Sequence, residues 1–219
     1  MSIYIENIKQ NWKVNIKDDN KVFPYLYIDN WYTKEEEEKI WKELDFHSSL
    51  ELSRAEDTIV AKIPGTDKPL GYHYRMYLNE IYTPKGQYLS PIHKYMYKFR
   101  DQQFWEIIEK TTSQGRNFKA TNASSTFVSY YEDGDDYGKH FDTSMFTCLI
   151  WMHRKNKQYT GGDFIFTESD SLIESKNNRM IMFPCHYYHK VTPIKFNKKP
   201  KEIGQGRYTI THFFSRNIV

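Results

Sequence analysis

Residues 130–142 read YYEDGDDYGKHFD. Five carboxylates, three tyrosines, two glycines and one histidine crowd into this stretch. A Gly/Asp cluster between apolar segments is ordinarily a surface turn. Glu132, Asp133, Asp135 and Asp136 are therefore expected in a solvated turn around Gly134. The end of the stretch reads differently. In an extended chain, residues i and i+2 share a face. KHFD then aims His140 and Asp142 at one point, with Phe141 on the other side. An imidazole and a carboxylate on one strand make two adjacent metal ligands. A third has to come from a neighbouring strand, and FPCHYYHKVTPI (183–194) offers His186 and His189.

The texture around this stretch is that of a β core. From about residue 120 the chain runs through TNASSTFVSYY (121–131), MFTCLIWMH (145–153), GGDFIFTE (161–168), NRMIMFP (178–184) and GRYTITHFF (206–214). These segments are short, rich in β-branched and aromatic residues, and separated by turn signals. Several such strands without intervening helices imply a sandwich, barrel or jelly roll. The first half differs. VFPYLYIDNWY (22–32) reads as a strand and its exit. TKEEEEKIWKEL (33–44) reads as a helix, with Thr33 and Glu36 as a capping box and Ile40, Trp41 and Leu44 on one face. PIHKYMYKFRDQQFWEIIEK (91–110) predicts a second helix opened by Pro91. YHYRMYLNEIY (72–82) is compatible with a strand. The expected fold is mostly β with flanking helices. A single domain has N-terminal strands and helices over 1–119 and a β core over 120–219, with the helices packed on one sheet.

Bulk properties exclude several classes. Net charge is +3, from 31 basic and 28 acidic residues. That balance lacks the concentrated basic excess of a nucleic-acid-binding face. KFNKKPK (195–201) is a local exception and reads as a solvated loop. Cys148 and Cys185 are no disulfide framework; they read as small core thiols in a reducing compartment. MSIYIENIKQ at the start lacks the pattern of a signal peptide. The apolar run MFTCLIWM (145–152) is too short to span a bilayer. A cytoplasmic protein with no membrane or nucleic-acid partner is expected. Oligomeric state is not encoded in any feature of the sequence.

Two histidines and a carboxylate on one face of a metal, with the other positions open, form the facial triad of non-haem Fe(II) oxygenases. Zinc would accept the same ligands. Here the sequence resembles the Fe(II)/2-oxoglutarate-dependent dioxygenases, in particular their prolyl 4-hydroxylase-like branch. The resemblance covers about residues 127–215. It begins with Tyr131, Gly134, Tyr137, His140 and Asp142 in the pattern Y-x-x-G-x-x-Y-x-x-H-x-D. It continues through GGDFIF (161–166), NRMIMFP (178–184) and His189, Val191 and Pro193 as H-x-V-x-P. It closes with Arg207 and Thr209 in GRYTIT (206–211). One departure stands out. The spacing from His189 to Arg207 is 207 − 189 = 18 residues, longer than in the prolyl hydroxylases, and FNKKPKEIGQG (196–206) reads as an inserted loop.

The resemblance implies a double-stranded β-helix, or jelly roll. It selects His189 over His186 as the distal ligand, leaving His186 to pack or hydrogen-bond near the barrel mouth. His140, Asp142 and His189 would hold Fe(II), with 2-oxoglutarate and O2 as co-substrates and ascorbate supporting activity. Arg207, Thr209 and Tyr131 would bind the distal carboxylate of 2-oxoglutarate. A guanidinium suits that task because it is permanently charged and bidentate. The implied reaction couples decarboxylation of 2-oxoglutarate, yielding succinate and CO2, to hydroxylation of a substrate C–H. Halogenating relatives carry a small residue where Asp142 stands, so the carboxylate favours hydroxylation.

The implied substrate is a prolyl residue in a peptide or protein, with a free amino acid or another small molecule as the alternative. Residues 62–86 are the candidate lid or groove wall, with Tyr74, Arg75 and Tyr77 as candidate substrate contacts. A non-catalytic jelly-roll binding module and a zinc hydrolase on a cupin-like barrel are the competing classes. The module has no need of the whole constellation, and the hydrolase lacks an obvious catalytic base.

Overall fold

The computed structural model describes residues 12–19, 23–50, 52–57, 60–198, 200 and 202–217. The opening MSIYIENIKQ, read above for a signal peptide, lies outside the described residues. The first half supplies β1 (Lys13–Asp19), β2 (Phe23–Asp29), α1 (Lys34–Ser48), β3 (Ser53–Arg54), β4 (Tyr74–Tyr77), α2 (Leu78–Ile81), α3 (Pro91–Lys94) and α4 (Gln102–Thr111). The second half is β5 (Ala123–Tyr131), β6 (Tyr137–His140), β7 (Phe146–Met152), β8 (Tyr159–Gly161), β9 (Phe164–Phe166), β10 (Ser171–Ile173), β11 (Arg179–Pro184), β12 (His189–Val191), β13 (Ile194–Phe196) and β14 (Arg207–Ser215).

The strands form a jelly roll. An eight-stranded sheet runs in the order β1-β2-β11-β7-β14-β5-β4-β3, and a four-stranded sheet in the order β10-β9-β12-β6. β13 and β8 form a separate pair. Alternation along the central strands divides two cores. From β7, Phe146, Cys148, Ile150 and Met152 face the helices, where they meet Ile40, Leu44, Phe104, Ile107 and Ile108. Leu149 and Trp151 of the same strand face inward, where Phe164 and Phe166 of β9 close over them. β7 is thus buried on both faces, which accounts for the apolar run 145–152 as a central strand. No helix among the described residues is long and apolar enough to cross a membrane.

Helix α1 starts as the sequence indicates. The Thr33 hydroxyl accepts from the Glu36 backbone amide, and the Glu36 carboxylate accepts from the Thr33 amide. The segment 91–110 is not one helix. It is α3, a 3-10 stretch Tyr95–Arg100, and α4. Asp101 is extended (φ −68°, ψ 137°) and its carboxylate caps the Gln103 amide. This short acidic cap competes with helix continuation. The strand expected over 72–82 is confined to Tyr74–Tyr77, and Leu78 begins a single helical turn.

The acidic turn also departs from expectation. Asp135 is buried. It accepts two bonds from Arg54, at 2.8 and 3.0 Å, and one from the Glu132 amide at 2.9 Å. Asp133 accepts from the Phe196 amide. Gly134 takes φ +87°, a conformation glycine adopts at little cost. Two of the four turn carboxylates are therefore structural.

Candidate metal and co-substrate site

The triad is built on paired strands. β6 and β12 run antiparallel, and His140 and His189 are register partners. Their ring centroids lie 4.2 Å apart. Asp142 follows β6, anchored by its amide to the Cys185 carbonyl at 3.0 Å. Its oxygens stand 3.8 Å from His140 Nε2 and 3.6 Å from His189 Nε2. The three ligand atoms all lie within 4.8 Å of one another.

The surrounding bonds fix the chemical state of each ligand. His140 Nδ1 donates to the Gly138 carbonyl at 2.8 Å, and His189 Nδ1 donates to the Tyr187 carbonyl at 2.8 Å. A carbonyl can only accept, so each Nδ1 carries the proton and each Nε2 turns a lone pair inward. Burial and the facing His189 push the His140 imidazolium down to about 3, and burial likewise lowers His189. With both rings neutral, their contacts with Asp142 are not ion pairs. Burial raises the Asp142 carboxyl, while His189 and the Thr147 hydroxyl, donating at 2.6 Å, oppose it. Two neutral imidazoles and an oriented carboxylate are the donor set that a divalent first-row metal takes.

The same cavity, about 210 Å3 in volume, extends to Arg207 and Thr209. Arg207 is fully buried on β14. One Nη donates to the Gly162 carbonyl, and the guanidinium lies 4.2 Å from the centroid of the Tyr131 ring, its register partner on β5. Arg207 Nε and Thr209 Oγ1 are buried without a hydrogen-bond partner, and so is Trp151 Nε1 on the same inner face. Among the described residues no carboxylate pairs with Arg207. A buried cation and orphaned donors at one end of a cavity fit a dicarboxylate whose other end reaches the metal ligands. Fe(II) and 2-oxoglutarate thus fit the residues present.

The remaining predicted residues separate. Tyr131 is buried in this cavity with Arg207 and Thr209. Arg75 lines it as well. Tyr77 donates no surface of its own to the cavity and instead accepts from Arg75 at 3.2 Å. Tyr74 packs against the helix-side core, because neighbours on a strand point to opposite faces. His186 is exposed, with its ring against Tyr187. The described part of 196–206 is turn and bend beyond β13, and the Gly204 and Gly206 amides donate to the Tyr130 hydroxyl. Cys148 is buried as expected, whereas Cys185 is half-buried beside Asp142.

Sequence reasoning passed over Thr147, Trp151 and His73. The alternation of β7 carries a signal for the first two, since 147, 149 and 151 share the inner face. His73 is buried and stacks on Tyr131 with centroids 4.9 Å apart. No local pattern marks it.

The jelly roll thus places two inward imidazoles and a carboxylate at one end of its cavity and a buried guanidinium at the other. Residues 126–215 match the family model described as the 2OG-Fe(II) oxygenase superfamily. Solved structures share the fold at low identity. A Pseudomonas putida prolyl-4-hydroxylase aligns with TM-score 0.62 and 14% identity over 92% of this chain and 97% of that one. The viral collagen prolyl hydroxylase of Paramecium Bursaria Chlorella virus-1 aligns with TM-score 0.56 and 12% identity over 99% and 100%. A Trichoplax adhaerens prolyl hydroxylase, in complex with a hypoxia inducible factor oxygen degradation domain peptide fragment, aligns with TM-score 0.54 and 14% identity over 90% and 87%. No curated protein matches the chain by sequence.

Proposed function

We propose that this protein is an Fe(II)- and 2-oxoglutarate-dependent hydroxylase acting on a prolyl residue of a peptide. The observation that carries the reading is one cavity with a metal-type donor set at one end and, at the other, a buried guanidinium that pairs with no carboxylate among the described residues. His140, Asp142 and His189 would hold the iron. Arg207 and Thr209, with Tyr131 against them, would hold the distal carboxylate. Bound iron and 2-oxoglutarate supply the oxidising chemistry, while the protein orients, neutralises and shields.

The chain's own residues do three things. Gly138 and Tyr187 carbonyls hold both imidazoles in the ligating tautomer. Thr147 orients Asp142. The aromatic rings of Trp151, Phe164 and Tyr131 line the cavity and would shield bound co-substrate from water. A peptide substrate is supported by the open side of the site. Phe141, next to the ligands, is 50% exposed and meets Tyr188 edge-on at 5.2 Å. A solvated aromatic pair beside the metal ligands suits an extended chain carrying a proline ring. The Trichoplax relative holds a peptide on the same fold. Ascorbate would sustain activity by keeping the iron reduced.

The test is succinate formation from 2-oxoglutarate with Fe(II) and ascorbate, with mass spectrometry of proline-containing peptides for an oxygen-atom gain. Peptide-stimulated turnover with a hydroxylated product supports the reading. A wild-type rate in His140→Ala overturns the site. Hydroxylation of a free amino acid in place of any peptide would replace the substrate class.

A further inference from the structure

A second concavity, about 310 Å3 in volume, lies on the helical side of the molecule and shares no lining residue with the metal cavity. Lys39, Lys42, Glu43 and Phe46 of α1 form one wall. Tyr82, Leu89 and Pro91, from the connection between α2 and α3, form the other. Positions three, four and seven apart share a helix face, and this face adjoins the stripe of Ile40 and Leu44 that packs α1 into the core.

The groove exposes apolar side chains. Phe46 is 58% exposed and Leu89 63%, and the chain neighbours Ile81 and Tyr88 are exposed as well. A solitary exposed apolar residue is ordinary. Several converging on one groove mark a contact surface.

Its charges are unevenly used. Glu43 is buried, with one oxygen accepting from the Ser90 hydroxyl at 2.5 Å and the other from the Ile92 amide at 2.9 Å. These bonds tie α1 to the start of α3, so the two walls are set before anything binds. Lys39 and Lys42 are exposed and pair with no carboxylate among the described residues. An apolar trough with two such ammonium groups on one wall complements a segment whose carboxylates flank its apolar side chains. Its concavity suits inserted side chains, whereas a lipid surface takes a protruding apolar face.

We infer that this groove docks a short acidic amphipathic segment of another protein, its apolar side chains between Phe46 and Leu89 and its carboxylates on Lys39 and Lys42. The surface lies outside the metal cavity and is independent of the hydroxylase reading.

Fluorescence anisotropy on the full chain tests it with three labelled peptides: EELFDLLEE, its basic counterpart KKLFKLLKK, and the polar EESSDSSEE. The first should bind at least about tenfold tighter than either other, since two exposed ion pairs and two buried apolar side chains are together worth that much. Lys39→Glu with Lys42→Glu should invert the order of the acidic and basic amphipathic peptides. Lys110→Glu with Lys195→Glu makes the same change in net charge outside the groove and should leave the order intact. Phe46→Ser should weaken the first peptide about tenfold with the Tm unchanged. Equal binding of the three peptides, tighter binding of the basic or polar one, or the same inversion in both lysine pairs overturns the inference. So does a wild-type dimer in sedimentation velocity that Phe46→Ser dissolves, which would place a second copy in the groove. Uptake onto phosphatidylserine vesicles in preference to EELFDLLEE, lost in Phe46→Ser, would assign the face to lipid and overturn it too. Where a variant unfolds, the order of the three peptides on the wild type decides.

Discussion

His140 and His189 sit directly opposite each other across β6 and β12, their rings 4.2 Å apart and each Nδ1 spent on a backbone carbonyl two residues before it. Two lone pairs thus meet in one place before any metal arrives. The strand pairing itself sets the spacing of the ligands.

Metal binding should therefore be measurable as stability. Fe(II) or Mn(II) at a hundredfold excess over its Kd should add roughly 2.7 kcal/mol, seen as a raised Tm under anaerobic conditions. In His140→Ala that increment should disappear. Succinate formation should fall by more than about 100-fold, because even the partners of metal ligands are worth roughly 10- to 100-fold.

Arg207→Gln separates folding from co-substrate binding. The guanidinium is fully buried, and burial lowers its pKa. Replacing a buried charge with a neutral group of similar length need not destabilise the apo protein. Urea denaturation should show apo stability no lower than wild type. 2-Oxoglutarate affinity, read by titration, should weaken by about 2–5 kcal/mol. Substantial unfolding of apo Arg207→Gln would give this residue a structural role instead.

His212 gives a pH dependence. It is buried, with Nδ1 2.9 Å from the Thr126 hydroxyl, and burial lowers its pKa from 6.5 to about 3, with nearby His93 adding to the shift. The folded value lies below the unfolded one, so the neutral ring contributes stability that is complete above pH 6.5 and is lost as pH falls toward 3. Each proton so withheld costs about 1.4 kcal/mol per pH unit in that window. Urea midpoints between pH 7.5 and 4.5 should drop less steeply in His212→Gln than in wild type.

The Arg54–Asp135 pair ties the segment after α1 to the turn preceding β6. Asp135→Asn removes the charge from a bidentate, largely buried pair, and should cost about 1–3 kcal/mol in urea denaturation. Asp67→Asn is the contrast. Its pair with Lys62 is solvent-exposed on both sides, so stability should not move. Equal effects of the two substitutions would show that burial of Asp135 is not what matters.

Much of the fold was legible because burial writes a period into a strand. β7 and β14 alternate between two cores, and the capping box of α1 is local chemistry. The helix expected over 91–110 failed at Asp101, where a side-chain cap outcompeted an otherwise continuous apolar face. The acidic turn failed at Asp135, whose partner Arg54 lies 81 residues away. Of the three proposed substrate contacts, strand alternation turned Tyr74 to the helix side and left Arg75 in the cavity.

The sequence by itself determined a β-rich core, the order of its strands' motifs and a His-x-Asp pair on one face. It did so because these are short-range patterns of side-chain type. The tertiary structure alone decided that His189 faces His140, that Arg207 is buried at the far end of the same cavity, and that His73 and Tyr77 brace Arg75. Those relationships depend on strand register across distant segments, and register is fixed by packing between two sheets rather than by any local run of residues.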